Sequence, residues 1–216
     1  MIRLARMFAV VIVIITLNGC AAMKSEPDYS GADAGYLVVA MGEGVDTNYS
    51  SYKLFYQNIN DPKIAGALNF NSAGFIGPPT LDFKGEERGV VLIKKLPPGD
   101  YKLINFEIYM NGANLVPSMW WKSKDDFSIP FKISTGTGTY LGDFKAVGQI
   151  FRSVFGLKHA IGGAYFVVSD KSSRDIPVAK QKLASLDRVD ISIPNVDDLN
   201  NSLIRSKESP PVMESW

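Results

Sequence analysis

The sequence predicts a mainly β chain folded as an antiparallel β-sandwich, with one or two short helices near the C-terminus. Three observations carry that expectation. About eight extended segments between residues 36 and 193 are separated by regular turn signals. Two of them, Tyr101–Met110 and Phe127–Ile133, alternate in polarity with the period of a half-buried strand. Apolar residues at helical spacing appear only beyond Asp175.

Tyr36–Met41 is a continuous apolar run, short enough for a strand buried on both faces. Tyr52–Gln57 is the next strand. Turn formers dominate Asn58–Asn71 and predict no defined element there, and Gly77-Pro78-Pro79 breaks the stretch that follows. Glu86-Glu87-Arg88-Gly89 reads as a polar turn. Val90–Leu96 and Tyr101–Met110 form two strands joined at Pro97-Pro98-Gly99-Asp100, where Pro98 presets the first corner and Gly99 accepts positive φ. In the second strand Ile104, Phe106, Ile108 and Met110 share one face; Leu103, Asn105, Glu107 and Tyr109 share the other.

Asn111–Asp126 reads as a long loop with Trp120-Trp121 near its end. In Phe127–Ile133 the odd-numbered residues face inward, and Pro130, which has no N–H, places the strand at a sheet edge. After the turn Thr135–Gly138 come strands at Thr139–Lys145, Val147–Leu157 and Ala164–Ser169, the last two separated by Gly162-Gly163. A helix near residues 175–186 starts at Asp175-Ile176-Pro177, with proline in its first turn and Ala179, Leu183 and Leu186 on one face. Val189–Ile193 is extended. Asn195–Ile204 reads as a second helix with Val196, Leu199 and Leu203 on one face, and Ser206–Trp216 as a disordered end. The sandwich is thus assigned to residues 36–193, and residues 194–216 to a helical or disordered extension.

The N-terminus has its own logic. Arg3 and Arg6 precede the apolar run Phe8–Leu17. Ten or so apolar residues are too few to span a bilayer, which needs about twenty. A basic start, a short apolar run and small residues after it mark a cleaved export signal over residues 1–19. Cys20 is the only cysteine, so no disulfide can form within the chain. Residues 20–35 are small, polar and aperiodic, and read as a flexible tether. Residues 1–19 hold two of the 23 basic residues and none of the 22 acidic ones, so the remainder is close to balance. No strong field exists to attract nucleic acid.

Leu17-Asn18-Gly19-Cys20 resembles the lipobox of bacterial lipoproteins. The resemblance implies cleavage before Cys20, a diacylglycerol thioether on its sulfur and an acyl chain on its amino group. Several acyl chains at one site hold a protein firmly, since each buried methylene contributes about 0.8 kcal/mol. Ala21 and Ala22 follow, with no aspartate directly after the cysteine. In that class this implies the outer membrane, with the domain on its periplasmic face.

A second resemblance concerns the domain. Leu96-Pro97-Pro98-Gly99-Asp100-Tyr101-Lys102-Leu103 is similar to the turn of transthyretin-like and carboxypeptidase-regulatory-like sandwiches, which are immunoglobulin-like in architecture. Tyr140-Leu141-Gly142-Asp143-Phe144 resembles a strand of a widespread family of uncharacterised bacterial lipoproteins. Val168-Ser169-Asp170, Arg174-Asp175 and the helix Val178–Leu183 resemble the piece that follows in that family. The resemblance spans about Val90–Leu186 and implies a small sandwich with no known activity. Asn111–Asp126 and everything after Leu186 fall outside it.

Chemistry is sparse. His159 is the only histidine, on a Lys158-His159 stretch that reads as a solvated loop, and no Gly-x-Ser-x-Gly elbow exists. No catalytic residue, metal ligand or cofactor is assigned, apart from the covalent lipid on Cys20. The acidic pairs Glu86-Glu87, Asp125-Asp126 and Asp197-Asp198 read as turns or a helix start, where they face water or a helix dipole. Lys171, Arg174, Lys180 and Lys182 give a basic helix face, read as solvated. Trp120 and Trp121 are the candidate contact residues. Neighbours on a strand face opposite ways, so one exposed tryptophan beside Tyr109, Lys122 and Lys124 would stack on a sugar or anchor a protein. The alternative is that both cover the end of the core.

The expected role is therefore a non-enzymatic envelope binding or assembly module. It would be lipid-anchored at the outer membrane, with an envelope protein or glycan as partner and no nucleic acid. The alternatives are a secretion-apparatus anchoring lipoprotein and, in a different class, an enzyme acting on the cell wall.

Overall fold

A six-residue apolar run with no polar face needs cover on both sides, and the first strand, β1 (Gly35–Gly44), finds it. The computed structural model describes residues 29–44, 50–72, 80–110, 119–122, 126–152, 158–199 and 201–208. Leu37, Val39 and Met41 point into the core between two sheets. Val38 and Ala40 point the other way, into a smaller cluster with Ala179 and Leu186. Those two residues belong to and follow the helix α1 (Ser172–Lys182).

The remaining strands are β2 (Ser51–Asn58), β3 (Ala65–Asn71), β4 (Glu87–Leu96), β5 (Gly99–Met110) and β6 (Met119–Lys122). Then come β7 (Ile129–Ile133), β8 (Thr137–Arg152), β9 (Lys158–Ser169), β10 (Arg188–Ile191) and β11 (Ile204–Arg205). The first sheet runs β11-β9-β8-β1-β4, with β10 also on β8; the second runs β3-β2-β5-β6, with β7 also on β5. The architecture is a β-sandwich with a short helix. Six of its pairings are antiparallel, while β1–β8, β10–β8 and β11–β9 are parallel.

Several expected elements shift. β3 forms where none is expected: Gly66, Asn69 and Asn71 are accommodated within the strand because Leu68 and Phe70 face inward opposite Leu54 and Tyr52. The Glu86–Gly89 turn gives way to the start of β4, because Glu87 and Arg88 find charged partners on either face of the sheet. In β5 the pairing to β2 skips one residue between Leu103 and Asn105. This bulge turns Tyr101 and Leu103 inward together with Phe106 and Ile108, so Ile104 does not share their face. Ile104 instead receives the N–H of Phe127 on its carbonyl at 3.0 Å.

Thr139–Lys145 and the described part of Val147–Leu157 are one strand, β8, rather than two, since buried Ala146 continues the core without a break. Gly162-Gly163 and His159 lie within β9, where His159 pairs with Phe151, so neither is a loop feature. Trp120-Trp121 lies on β6, paired to β5, and not in a loop. α1 starts three residues before Asp175, where Asp170 Oδ1 accepts the Ser172 N–H at 2.8 Å, which leaves Pro177 mid-helix. The second helix reduces to a single 3-10 turn at Val196–Leu199. Ile204 then adds a strand beside Phe166 instead of extending that turn. Val196 and Ile204 are core residues, so this segment completes the sandwich rather than trailing from it. The export signal, Cys20, most of the tether, Gly77-Pro78-Pro79, residues 111–118 and the final eight residues lie outside the described residues.

β7 meets expectation: Ile129, Phe131 and Ile133 are buried, Pro130 and Lys132 are exposed, and β5 is its partner at the sheet edge. The outer edge of β4 is closed differently. Val91 N–H donates to Asp82 Oδ2 at 2.6 Å, Lys182 Nζ donates to the Val91 carbonyl at 2.9 Å, and Phe83 bridges to Gly89.

The register also fixes the two ends of the molecule. The starts of β1, β5 and β8 and the end of β4 lie together, joined by the tight β4–β5 turn at Gly99, whose φ is +155°. The far end carries Gly44, Ser51, Glu87 and Tyr109. No helix among the described residues is long and apolar enough to cross a membrane.

Candidate binding surface

Antiparallel pairing sets Tyr109 of β5 between Trp120 of β6 and Ser51 of β2, and sets Glu107 between Lys122 and Lys53. All six side chains therefore share the outer face of the second sheet. Trp120 is 55% exposed, and its ring lies 4.5 Å from that of Tyr109, tilted by 34°. Lys53 Nζ sits 4.9 Å from the centre of the indole and 3.2 Å from Glu107 Oε1. Lys122 Nζ lies 5.6 Å from the Phe55 ring. The result is a flat aromatic surface bordered by two cations and one carboxylate.

Trp121 takes the opposite side. Its ring lies 5.3 Å from Phe106, and it is half-buried against the main core. The two tryptophans thus split, one toward the core and one toward solvent. Tyr109 and Lys122 stand beside Trp120 as expected, whereas Lys53, Glu107 and Phe55 enter only through a pairing register that spacing in the sequence does not reveal. Among the described residues the other exposed large apolar side chains are Ile59, in the β2–β3 loop, and Ile191, on β10.

A second constellation lies under α1. Gly142, at φ +112°, forms a bulge in β8, so that Tyr140 and Asp143 pair with Val38 and Ala40. In a regular strand residues three apart face opposite ways; the extra residue puts both on the helix side. Arg174 reaches down from α1 among three carboxyl groups. Its Nε donates to Asp175 Oδ1 at 2.6 Å, while Nη2 is 3.3 Å from Asp143 Oδ1 and Nη1 is 3.6 Å from Glu87 Oε2. Its guanidinium lies 3.6 Å from the centre of the Phe83 ring, and Tyr140 Oη donates to Asp175 Oδ2 at 2.5 Å.

Neither Asp143 oxygen meets a donor in hydrogen-bond geometry, and Glu87 Oε1 and Arg174 Nη2 likewise lack a hydrogen-bond partner among the described residues, the Arg174–Asp143 contact being an ion pair only. Burial pushes the Asp143 carboxyl up to about 8, helped by the neighbouring Glu87 and opposed by Arg174. A proton on Asp143 supplies the donor that the two facing carboxyls otherwise lack. Burial likewise raises Tyr140, and its bond to Asp175 adds to the shift. On the core side of the same sheet Glu43 is also raised by burial, against the pull of Tyr52, Arg88 and Ser72. Tyr52 Oη donates to its Oε2 and Arg88 Nε to its Oε1, the latter at 2.7 Å.

The expected basic face of α1 is solvated at Lys171, Lys180 and Lys182, all exposed, while Arg174 departs from it. Arg174 is turned into the sheet, Lys182 binds Asp82 and the Val91 carbonyl, and Lys180 Nζ donates to the Asp187 carbonyl at 2.8 Å. Of the acidic pairs, Glu87 is in β4 rather than a turn, because Arg174 receives it. Asp126 accepts from Asn105 Nδ2. Asp197 accepts from Ser206 and Asp198 from Asn195, each at 2.7 Å. No group of three or more His, Cys, Asp or Glu side chains among the described residues is arranged to hold a metal ion. The polar cluster under α1 was missed in the sequence, although Asp143 inside the apolar strand Tyr140–Phe144 was a visible signal.

No family model matches the chain, and no curated protein matches it. A leucine-rich repeat protein from Bacteroides thetaiotaomicron VPI-5482, known from a crystal structure, is similar over 53% of this chain at 11% identity and a TM-score of 0.34. The similar region spans 14% of that protein's length. A likeness at this level defines neither a family nor a function.

Proposed function

We propose that the chain is a bacterial outer-membrane lipoprotein, held by lipid on Cys20, whose periplasmic sandwich is a non-enzymatic binding or assembly module. Support for the anchor comes from Leu17-Asn18-Gly19-Cys20 behind a short apolar run, with Cys20 the sole cysteine. The observation that carries the binding role is Trp120, more than half exposed beside Tyr109 and Lys53 on the outer sheet face while its neighbour Trp121 is drawn to the core. An exposed tryptophan backed by a rigid sheet offers a partner a large contact at little cost in side-chain freedom. Asp143, the carboxyl with the most displaced titration, is buried beneath α1, where no solute reaches it unless the helix moves.

Two measurements test this reading. Cells fed labelled palmitate should label the wild-type protein and not Cys20→Ser; label on the variant would overturn the anchor. A photo-crosslinking residue at position 120 in intact cells should capture a defined partner, while one at position 121 should not. Equal capture at both positions, or at neither, would remove Trp120 as the contact.

A further inference from the structure

We infer that the Trp120 surface binds a carboxylate-bearing polysaccharide of gluco-configured pyranoses, one ring resting on the indole while Lys53, Glu107 and Lys122 bond its polar groups. The inference rests on the reading that this face is the partner-binding face.

The shape argument comes first. A pyranose with equatorial substituents presents a flat face of axial C–H groups, and an exposed indole on a β-sheet is a flat acceptor for it. Protein interfaces exclude charge from their centre and gather several apolar anchors around it. Here Trp120 lies among Lys53, Lys122 and Glu107, and among the described residues the other exposed large apolar side chains, Ile59 and Ile191, lie in the β2–β3 loop and on β10. Such an arrangement suits a ligand that is itself apolar on its faces and polar around its rim.

Charge supplies the second argument. Two lysines flank one glutamate across three strands, so the patch carries a net positive charge in a chain that is otherwise near balance. That complements carboxylates on a sugar or its substituents. Glu107 is engaged by Lys53 at 3.2 Å and is positioned to accept from a hydroxyl group.

Position supplies the third. Trp120 pairs with Tyr109, ten residues along β5 from Gly99, at the end of the sandwich opposite the start of β1. At about 3.3 Å per residue the surface lies about 30 Å from the end at which the N-terminal segment enters. On the proposed anchor, the surface is thus at the end of the sandwich remote from the one that the chain enters from Cys20.

The test uses the full chain in detergent micelles, sedimented with purified peptidoglycan sacculi and, separately, with chitin, an uncharged polymer of the same ring geometry. The wild type should pellet with both, more strongly with sacculi at low salt. Trp120→Ala, whose side chain supports no core, should weaken both by about tenfold. Trp120→Tyr should restore part of the loss. The Lys53→Gln/Lys122→Gln double variant should lose the preference for sacculi and its salt dependence while keeping chitin binding. No sedimentation of the wild type, or equal sedimentation of Trp120→Ala, overturns the inference. If the polymer fails while the position-120 probe still captures a single protein in cells, the binding face stands and the glycan falls. If both fail, the binding face falls with it.

Discussion

Asp143 keeps its proton in the folded chain across a range in which an unfolded aspartate has lost it. Its carboxyl moves from an ordinary value of 3.8 to about 8 on folding, with burial the main cause and Glu87 the next. A raised carboxyl value means that stability is greatest while both states are protonated. Stability then falls as pH climbs from about 4 to about 8, because the unfolded state alone releases the proton. Glu43 is raised in the same direction and adds the same sign. The urea midpoint of the wild type should therefore decline between pH 5 and pH 8, and Asp143→Asn, which offers Glu87 a permanent donor, should flatten that slope. Identical slopes would show that the proton is not held there. At this scale the sequence was half legible. Adjacent tryptophans on one strand had to face opposite ways, and they do. Arg174 looked like one of four solvated cations, because nothing in a linear pattern says that three carboxyls from β4, β8 and its own helix converge on it.

Elements were read best where a single period ran uninterrupted. β7 and the β4–β5 turn follow directly from alternation and from Pro98-Gly99. Errors gathered where one residue broke the period. The skip at Ile104 exchanges the faces of the first part of β5, and the bulge at Gly142 brings Tyr140 and Asp143 to one side. Bulges leave little trace in hydrophobic pattern because they change register and not composition. Pro177 misled in another way: proline favours the first turn, yet here the helix begins earlier, at Ser172, whose N–H is held by Asp170 Oδ1. Gly142→Ala tests the β8 bulge. A Cβ at φ +112° is strained, and it would sit 3.1 Å from the Ser169 carbonyl oxygen. A loss of about 2 kcal/mol in unfolding free energy is expected, together with a weaker pH slope as Asp143 shifts from its neighbours. A fully wild-type denaturation curve would show that the bulge can be built without glycine.

For the whole molecule, the largest surprise is the C-terminal segment. Read as an extension, it supplies Val196 and Ile204 to the main core and a last strand to the first sheet. The helical spacing of Val196, Leu199 and Leu203 hid this, because the chain makes only a 3-10 turn there and then pairs Ile204 as a strand. Deleting residues 195–216 should thus cost about 4 kcal/mol, taking about 2 kcal/mol for each buried aliphatic side chain. Soluble yield and the urea midpoint would register it; an unchanged midpoint would return the segment to a passive tail.

The edge of β4, closed at Gly89 and Val91, would matter most if the chain is tied to a surface as proposed. Proteins confined to a bilayer meet their own copies far more often than in free solution, and in similar orientations. An open strand edge under such crowding is a template for sheet-to-sheet polymerisation. Asp82 and Lys182 occupy the backbone groups of Val91 that a neighbouring copy would seek, and Pro130 withholds a donor along β7. On the proposed anchor, these few polar contacts would let many copies share one membrane face without joining into a fibre.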